Sequence, residues 1–182
     1  MDEQAFIDAI RAADADAYRR LVEREVDPVF RLAYRILGNA QDAEDVVQDT
    51  FVTAYRAIAT FRGDGSIGGW LRTIAARLAL RHATRRSAGR TFDILELEVT
   101  GASPSTPSPL AGLLSDERAE SIRRAMGSLP EAQREVIALR FFGDLSLPEI
   151  AEATNRPLPT CKSHLRRGLK RLQAELRAEA AA

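Results

Sequence analysis

A Ser/Pro-rich stretch at residues 101–109 divides a chain whose apolar residues otherwise recur at helical spacing. Segments of this composition cannot bury a hydrophobic core and tend to stay extended, so residues 89–112 are predicted to form a flexible linker. On both sides the apolar residues repeat every three or four positions, as in amphipathic helices, and strand-like alternation is weak. The sequence therefore predicts an all-α protein with two small helical domains, residues 1–88 and 113–182.

Bulk composition excludes several classes of protein. No apolar run approaches the roughly 20 residues of a membrane span, and the first residues are acidic where a signal peptide would be basic. We therefore expect a cytoplasmic protein without membrane insertion. Cys161 is the only cysteine, and His82 and His164 are the only histidines. We accordingly expect no internal disulfide, no metal site and no cofactor.

Charge is segregated along the chain although 26 basic and 26 acidic residues give a formal net charge of zero. From Asp42 to Asp49 every charged residue is an acid, and from Arg72 to Arg90 every charged residue is an arginine. A second basic stretch covers residues 156–171. Since nucleic-acid affinity scales with the phosphates that Lys and Arg neutralise, one acidic and two basic surfaces indicate different partners.

Capping signals divide the first half into helices. Residues 14–37 predict one helix, or a bent pair with a kink or break at Pro28. Asn39 can cap the next helix, with Asp42 in a capping-box-like position. That helix is predicted to leave its acids facing outward, because its apolar residues form one stripe. The stripe consists of Val47, Phe51, Ala54, Tyr55 and Ile58.

A glycine-rich loop at residues 63–69 precedes a helix with an aromatic and basic flank. Trp70, Arg77 and Arg81 share one side of this helix, and Arg72 lies nearby. Basic grooves with aromatic platforms hold single-stranded DNA, so this set is a candidate binding surface. A core tryptophan beside solvated arginines fits the composition equally well. The predicted buried face consists of Ile67, Leu71, Ile74 and Leu78.

The C-terminal segment has the pattern of a helix-turn-helix. After a helix at about residues 113–126 and another opening at Pro130, Ser146 and Glu149 form a capping box for a short helix. A turn at residues 154–158 leads into a longer basic helix, which can enter the major groove. The apolar face of this last helix is predicted to comprise Leu158, Cys161, Leu165, Leu169, Leu172 and Leu176.

The remaining faces of the last helix carry residue types that reach base edges and phosphates. For an isolated basic helix a solvated face would be the simpler interpretation, but the capped helix and the turn before it favour DNA binding. Cys161 is interpreted as a small core residue, with redox sensing as the alternative, and His164 as a surface or phosphate contact. The candidates for duplex contact are Arg156, Thr160, Lys162, Ser163, Arg166, Arg167 and Lys170.

Taken in order, these features resemble a bacterial sigma factor of the extracytoplasmic-function group. The string at residues 37–51 resembles the second conserved sigma region, and residues 61–66 with Trp70-Leu71 and Ile74-Ala75 resemble its promoter-melting loop and helix. Residues 129–163 resemble the fourth region. The chain departs from the family pattern at Arg77, Arg81, Cys161, His164 and Gly168, where Asn, Asp, Val, Arg and Ala are more usual.

The resemblance implies a division of labour between the two domains. The first would bind core RNA polymerase, at the clamp of its largest subunit, through Asn39, Asp42, Asp45, Gln48 and Asp49. It would also melt and hold the minus-ten element through Asp64, Ser66, Trp70, Arg72, Arg77 and Arg81. The second domain would read the minus-thirty-five element of promoter DNA. The resemblance further implies an anti-sigma factor as a partner and no enzymatic activity.

Two other classes remain open at this point. A stand-alone helix-turn-helix regulator would bind duplex DNA tightly without polymerase, although no receiver or ligand domain is recognisable. An enzyme has less support, since the sequence offers no metal cluster and no nucleophile with an obvious base. The loop at residues 63–69 lacks the strand and the lysine of a nucleotide-binding loop.

Overall fold

The computed structural model describes residues 3–61, 63, 65–89 and 109–180, all of which are helix, turn or irregular backbone. The sequence prediction of an all-α fold is therefore confirmed over these residues. In chain order the helices are α1 (Glu3–Arg11), α2 (Ala15–Leu37), α3 (Ala40–Ala57), α4 (Ile67–Gly89), α5 (Pro109–Gly127), α6 (Glu131–Phe141), α7 (Leu147–Thr154) and α8 (Leu158–Ala180), with a 3-10 turn (Ile58–Thr60) after α3.

Helices α1 to α4 form an N-terminal body in which α2, α3 and α4 pack against one another. Asp14 caps α2 by accepting bonds from the backbone N–H groups of Asp16 and Ala17. Of the two forms predicted for this segment, the structure has the single helix, which continues through Pro28. Leu21 and Leu32, on either side of the proline, are fully buried and hold both halves against one core.

The buried face of α3 is rotated from the predicted stripe. Phe51, Ala54 and Ile58 are buried as predicted, but Tyr55 is 53% exposed and Val47 is only half-buried. Ala43, Val46 and Thr50 complete the core face instead. The prediction missed Thr50 because its side chain is polar. In the structure the Thr50 hydroxyl donates to the Val46 carbonyl at 2.6 Å, so its hydrogen-bonding requirement is met inside the core without water.

Helix α4 is enclosed on several sides, which a single apolar stripe did not predict. Ile67 and Leu71 are fully buried, whereas Ile74 and Leu78 are only partly buried. The helix packs on α2 and α3 and also on α6 and α7. Its small residues allow this close approach from several directions. Those that are fully buried include Ala75, Ala76 and Ala79.

Helices α5 to α8 form a C-terminal body that contains the predicted helix-turn-helix. Ser146 accepts a bond from the Glu149 N–H and the Glu149 carboxylate accepts one from the Ser146 N–H, so the capping box is confirmed. Asn155, at φ 53°, ends α7 in the left-handed conformation. Helix α5 begins at Pro109, inside the range predicted as linker, rather than near Leu113. Residues 90–108 lie outside the described residues.

The inner face of α8 differs from the predicted leucine stripe at one position. Cys161 is fully buried as predicted, but Leu169 is 38% exposed and Gly168 is buried in its place. A Cβ at Gly168 would lie 2.7 Å from Ile137 Cδ1 and 3.2 Å from Gln133 Cβ. The glycine therefore lets α8 lie closer to α6 than a larger residue would allow, and this turns the adjacent leucine outward.

The two bodies pack directly against each other in this structure, with α4 against α6 and α7 and a smaller contact of α2 with α6. At Gly69 an added Cβ would meet Leu145 and Ala153 of the C-terminal body at 3.8 and 3.9 Å. Within the described residues, no helix combines the length and apolar character needed to cross a membrane.

Candidate nucleic-acid interface

The basic face of α8 points away from the core. Lys162, Arg166, Arg167 and Lys170 are exposed, while Thr160 and Ser163 are half-buried at the edge of this face. The Arg167 guanidinium donates to the Ser163 hydroxyl at 2.8 Å, one turn earlier along the helix. These predicted duplex contacts therefore occupy one accessible surface, which is hereafter called the basic face.

Arg156 differs from the other predicted duplex contacts because it is paired within the protein. It lies in the turn between α7 and α8, where its Nη1 is 2.5 Å from Glu135 Oε2 of α6. The Arg156 side chain is 28% exposed and the Glu135 side chain only 4%. A carboxylate buried to this degree is stable when paired, so Glu135 fixes Arg156 beside the start of the basic face.

His164 lies half-buried on α8 beside these charges. Burial lowers its pKa, and the positive charges of Arg156 and Arg167 lower it further, whereas Glu135 acts in the opposite direction. A lowered pKa favours the neutral imidazole. His164 is therefore a poorer phosphate contact near neutral pH than the arginines on the basic face.

The acidic surface on α3 is accessible, as the sequence predicted. Asp45, Gln48 and Asp49 are exposed on successive turns, and the exposed side chain of Val52 follows one turn later. Asn39 has a structural task as well, because its side-chain oxygen accepts the Asp42 N–H at 2.9 Å and caps α3. The predicted docking residues thus form an exposed acidic strip with the cap residues Asn39 and Asp42 at its N-terminal end.

The predicted single-strand surface contains an aromatic pair. Trp70 is half-buried, and its ring lies 5.3 Å from that of Phe61, centroid to centroid. The Ser66 hydroxyl accepts the Gly69 N–H at 3.0 Å and fixes the start of α4. Arg81 is exposed, and Asp64 lies outside the described residues. The structure thus brings Trp70 and Ser66 together at the entrance to α4.

Two arginines of this surface are engaged with other groups. Arg77 donates from Nε to Glu135 Oε1 of the C-terminal body at 2.6 Å. Arg72 lies 3.6 Å from the buried carboxylate of Glu25 and reaches the Gly143 carbonyl at 3.4 Å. Both guanidinium groups therefore face the junction between the two bodies.

Sequence reasoning missed the two buried carboxylates that organise these arginines. Glu25 and Glu135 are 6% and 3% exposed, and each lies among apolar residues of its own helix. The apolar run Val136–Leu139 after Glu135 was a signal that this acid begins a buried segment. A Cβ at Gly68 would lie 2.8 Å from both Glu25 oxygens, so a larger residue there would force the Glu25 carboxylate to shift.

Each of the two bodies matches a known protein family. Residues 21–89 match Sigma-70 region 2, and residues 119–172 match Sigma-70 region 4. Among the described residues, no group of three His, Cys, Asp or Glu side chains could hold a metal ion.

Relatives match over nearly the whole chain. The chain is 31% identical over 180 residues to the ECF RNA polymerase sigma factor SigW of Bacillus subtilis, covering 94% of this chain and 95% of that protein. It is 33% identical over 171 residues to the ECF RNA polymerase sigma-E factor of Escherichia coli K12, covering 91% and 89%.

Solved structures show the same fold. The structure of CnrH in complex with the cytosolic domain of CnrY aligns with a TM-score of 0.63 at 24% identity, covering 97% of both chains. The sigma factor RpoE in complex with the anti-sigma factor NepR, from Bartonella quintana, aligns at 0.56 and 22% identity, covering 88% of this chain and 96% of that one.

A chain that carries both Sigma-70 region 2 and Sigma-70 region 4 is a transcription initiation factor. The chain belongs to the extracytoplasmic-function group of RNA polymerase sigma factors. It binds core RNA polymerase and promoter DNA and directs promoter-specific transcription initiation. This family is not known for an enzymatic activity.

Proposed function

We propose that residues 1–88 dock on core polymerase and hold the unpaired minus-ten strand, and that residues 113–182 read the minus-thirty-five duplex. The observation that carries this assignment is the separation of three surfaces. Acids are exposed on α3, the aromatic pair lies at the start of α4, and the basic face lies on α8. Residues 89–112 connect the two units.

The docking surface is the acidic strip of α3, with Asp45, Gln48 and Asp49 at its centre and Asn39 and Asp42 at its N-terminal end. An exposed negative strip suits a basic site on the polymerase clamp, since complementary charge accelerates association and fixes orientation. Val52 and Tyr55 extend the strip with apolar area, 49% and 53% exposed. Polar edges around apolar contact area are usual in protein interfaces.

The minus-ten surface uses Trp70 as a stacking platform, with guanidinium groups for the phosphates. Base stacking on an aromatic side chain contributes about 1–3 kcal/mol per base. Ser66 and Asp64 belong to the loop that leads to this platform, and Arg72, Arg77 and Arg81 follow on α4.

The minus-thirty-five surface is the basic face of α8. Thr160, Lys162, Ser163, Arg166 and Arg167 lie nearest the N-terminal end of the helix, as expected for base contacts in a helix-turn-helix. Lys170 lies further along and contacts phosphate. Arg156 binds phosphate from the turn before α8.

Site-specific crosslinking tests the assignment of surfaces to DNA elements. A photoreactive phenylalanine analogue is placed at Trp70 or at Arg166, and the labelled chain is assembled with core polymerase on promoter DNA. Position 70 is expected to crosslink to the unpaired minus-ten strand, and position 166 to the minus-thirty-five duplex. Crosslinks in the opposite order would overturn the assignment.

We also propose that the chain acts in the cytoplasm and is inhibited by an anti-sigma factor. The support for inhibition is the fold similarity to CnrH and to RpoE. Both were solved as complexes with another protein, which for RpoE is an anti-sigma factor. The test is reconstitution with a candidate partner. The partner should abolish promoter-specific transcription by the holoenzyme, and retention of full transcription with bound partner would reject that role.

A further inference from the structure

Helix α1 lies outside the part of the chain that matches Sigma-70 region 2, which begins at residue 21. It is nevertheless anchored in the N-terminal body. Ile7 and Ile10 are 2% and 1% exposed, and Cζ of Arg24 in α2 lies 5.2 Å from the centre of the Phe6 ring. The helix packs on α2 and on the 3-10 turn that leads to Phe61. Its position relative to these elements is therefore fixed by buried side chains.

The end of α1 is also fixed, by a Schellman motif. The Asp14 N–H donates to the Ala9 carbonyl at 3.1 Å, and the Ala13 N–H donates to the Ile10 carbonyl at 3.0 Å. Ala13 has φ 61°, the left-handed conformation that this motif requires between the helix and the following chain. Arg11 is the last residue of α1, so the motif holds its backbone in place close to the start of α2.

The Arg11 side chain reaches from this end to the segment before the glycine-rich loop. Its Nη2 donates to the Phe61 carbonyl, and its Nη1 donates to Asp8 at 3.2 Å. The Phe61 N–H donates in turn to the Ile58 carbonyl at 3.1 Å. Both backbone polar groups of Phe61 are thus bonded, one of them to a charged donor, which makes the stronger type of hydrogen bond. Phe61 is therefore held at the point where the loop begins.

The first residues of the loop also run close to the other end of α1. Gly63 has φ 84°, a conformation that favours glycine, and a Cβ there would lie 3.6 Å from Gln4 Oε1. The Gln4 side chain is held on the helix, because it donates to Asp8 at 3.1 Å. Helix α1 thus borders the loop at both its first and its last turn.

Phe61 transmits this support to Trp70. Phe61 is 6% exposed and its ring lies 5.3 Å from the Trp70 ring, whereas Trp70 is half-buried, so part of its ring is accessible. We propose that Arg11 is a positioning residue for the minus-ten surface. It fixes Phe61, and Phe61 fixes the Trp70 ring in the arrangement on which an unpaired base stacks. The inference rests on the proposed function, because it requires Trp70 to be the stacking platform.

Positioning in the free protein matters because binding has to order every group that is mobile beforehand. A base that stacked on a freely moving tryptophan would have to immobilise this side chain, and the entropy lost would weaken binding by about three- to tenfold. With the ring already held, no such cost arises on binding. Loss of the bond between Arg11 and Phe61 should therefore reduce affinity for the unpaired strand, although neither residue is assigned to a contact with DNA.

Two full-length variants interrupt this support at different points. Arg11→Ala removes the bond to Phe61, and Phe61→Leu keeps a buried apolar side chain but removes the ring that contacts Trp70. Arg19→Ala is the matched control, because Arg19 is an exposed arginine that pairs with an acid three residues away on its own helix, as Arg11 does. Arg19 is not assigned to DNA or polymerase binding.

Trp70 is the only tryptophan of the chain, so tryptophan fluorescence reports on this ring alone. In the free chain, Arg11→Ala and Phe61→Leu should increase the quenching of Trp70 by acrylamide and lower its fluorescence anisotropy. Arg19→Ala should leave both as in the wild type. Circular dichroism establishes which variants are folded, and unchanged quenching and anisotropy in the folded variants would overturn the proposal.

Holoenzyme binding to fluorescent DNA with a pre-opened minus-ten segment gives the functional readout. Arg11→Ala should weaken this binding about three- to tenfold. It should add no further loss when Trp70 is already replaced by Ala, since residues that act through one another are not additive. An equal loss in both backgrounds would show that Arg11 acts independently of Trp70, and the positioning role would be rejected.

Comparison of Trp70→Ala with Trp70→Phe separates this proposal from the proposed function. If Trp70→Ala binds the pre-opened DNA more weakly than Trp70→Phe while Arg11→Ala binds as the wild type does, only the positioning role is wrong. If Trp70→Ala binds as tightly as Trp70→Phe, the proposed function is wrong at this surface, and the inference falls with it.

Discussion

The rings of Phe61 and Trp70 lie 5.3 Å apart with their planes tilted by 43°. Phe61 is 6% exposed, and its carbonyl accepts a hydrogen bond from the Arg11 guanidinium of α1. The N-terminal helix thus holds Phe61, and Phe61 supports one side of the Trp70 ring. The Trp70 ring is therefore held in place by two elements that lie before the glycine-rich loop, α1 and the segment with Phe61.

Replacing Trp70 by Ala should weaken holoenzyme binding to DNA with an unpaired minus-ten segment. One lost stack of about 1–3 kcal/mol corresponds to roughly 5- to 150-fold in affinity. Trp70→Phe retains an aromatic ring and is the matched control. Binding to fluorescent DNA with a pre-opened minus-ten segment measures the effect. Equal affinity of the Ala and Phe variants would show that Trp70 is only a core residue.

Replacing Arg166 and Arg167 by Ala should weaken recognition of the minus-thirty-five duplex by at least about tenfold, since a base contact is worth about 1–3 kcal/mol. Affinity for core polymerase should not change, because both residues lie on α8 and the proposed docking surface is the acidic strip of α3. Arg118→Ala with Arg177→Ala removes the same charge from other exposed positions of the C-terminal body. Gel-shift assays measure duplex affinity, and a separate binding assay measures affinity for core polymerase. A parallel loss of core binding would contradict the assignment.

Reversing Asp45 and Asp49 to Lys should lower the affinity for core polymerase, because a positively charged strip would repel the basic clamp site to which we propose that it docks. Glu131→Lys with Glu175→Lys makes the same charge change at exposed positions of the C-terminal body and should have little effect. Core affinity is measured by titration with fluorescent chain. If both double variants bound core as the wild type does, the acids would be only a solvated surface.

Replacing Ser146 by Ala should lower the free energy of unfolding by about 1 kcal/mol, the usual contribution of a helix N-cap. Hydrogen bonds from Ser146 lower the pKa of Glu149. A lowered carboxyl pKa stabilises the fold above the unfolded value of 4.5, and this contribution is lost as pH falls through the folded pKa. Urea unfolding should therefore show a smaller cost of Ser146→Ala at about pH 3.5 than at pH 7. An equal cost at both would contradict this linkage.

His164 should make the fold less stable in mild acid. Its pKa is lowered by burial and by Arg156 and Arg167, so the unfolded chain takes up a proton more readily than the folded one. Stability is therefore retained above the ordinary value of 6.5 and falls as pH drops below it. His164→Gln should flatten the dependence of unfolding free energy on pH between about 7.5 and 5. An unchanged slope would contradict the prediction.

The local parts of the fold could be predicted from the sequence, because they depend on neighbouring residues. Asn39 caps α3, and Ser146 with Glu149 forms the capping box of α7. These bonds join backbone and side chains three residues apart, so the order of residues alone specifies them. The helical periodicity and the buried position of Cys161 were predictable for the same reason.

The register of the buried faces was decided by tertiary packing. Tyr55 and Leu169 are exposed although they lie at apolar positions of helical stripes, and Ile74 and Leu78 are only partly buried. A stripe gives the face of a helix to within about one residue, but which residue is innermost depends on the helices that pack there. Gly168 illustrates this, because it is buried where α6, a helix from another part of the chain, packs closely against α8.

The sequence by itself determined the helices, their caps and the residue types on the acidic and basic surfaces. Only the tertiary structure decided that Arg77 and Arg156 share Glu135, residues 58 and 21 positions away from it. Local patterns extend over one or two helical turns, whereas this contact arises from the packing of α4 on α6. Its energy depends on how completely the surrounding helices exclude water, which no stretch of sequence specifies.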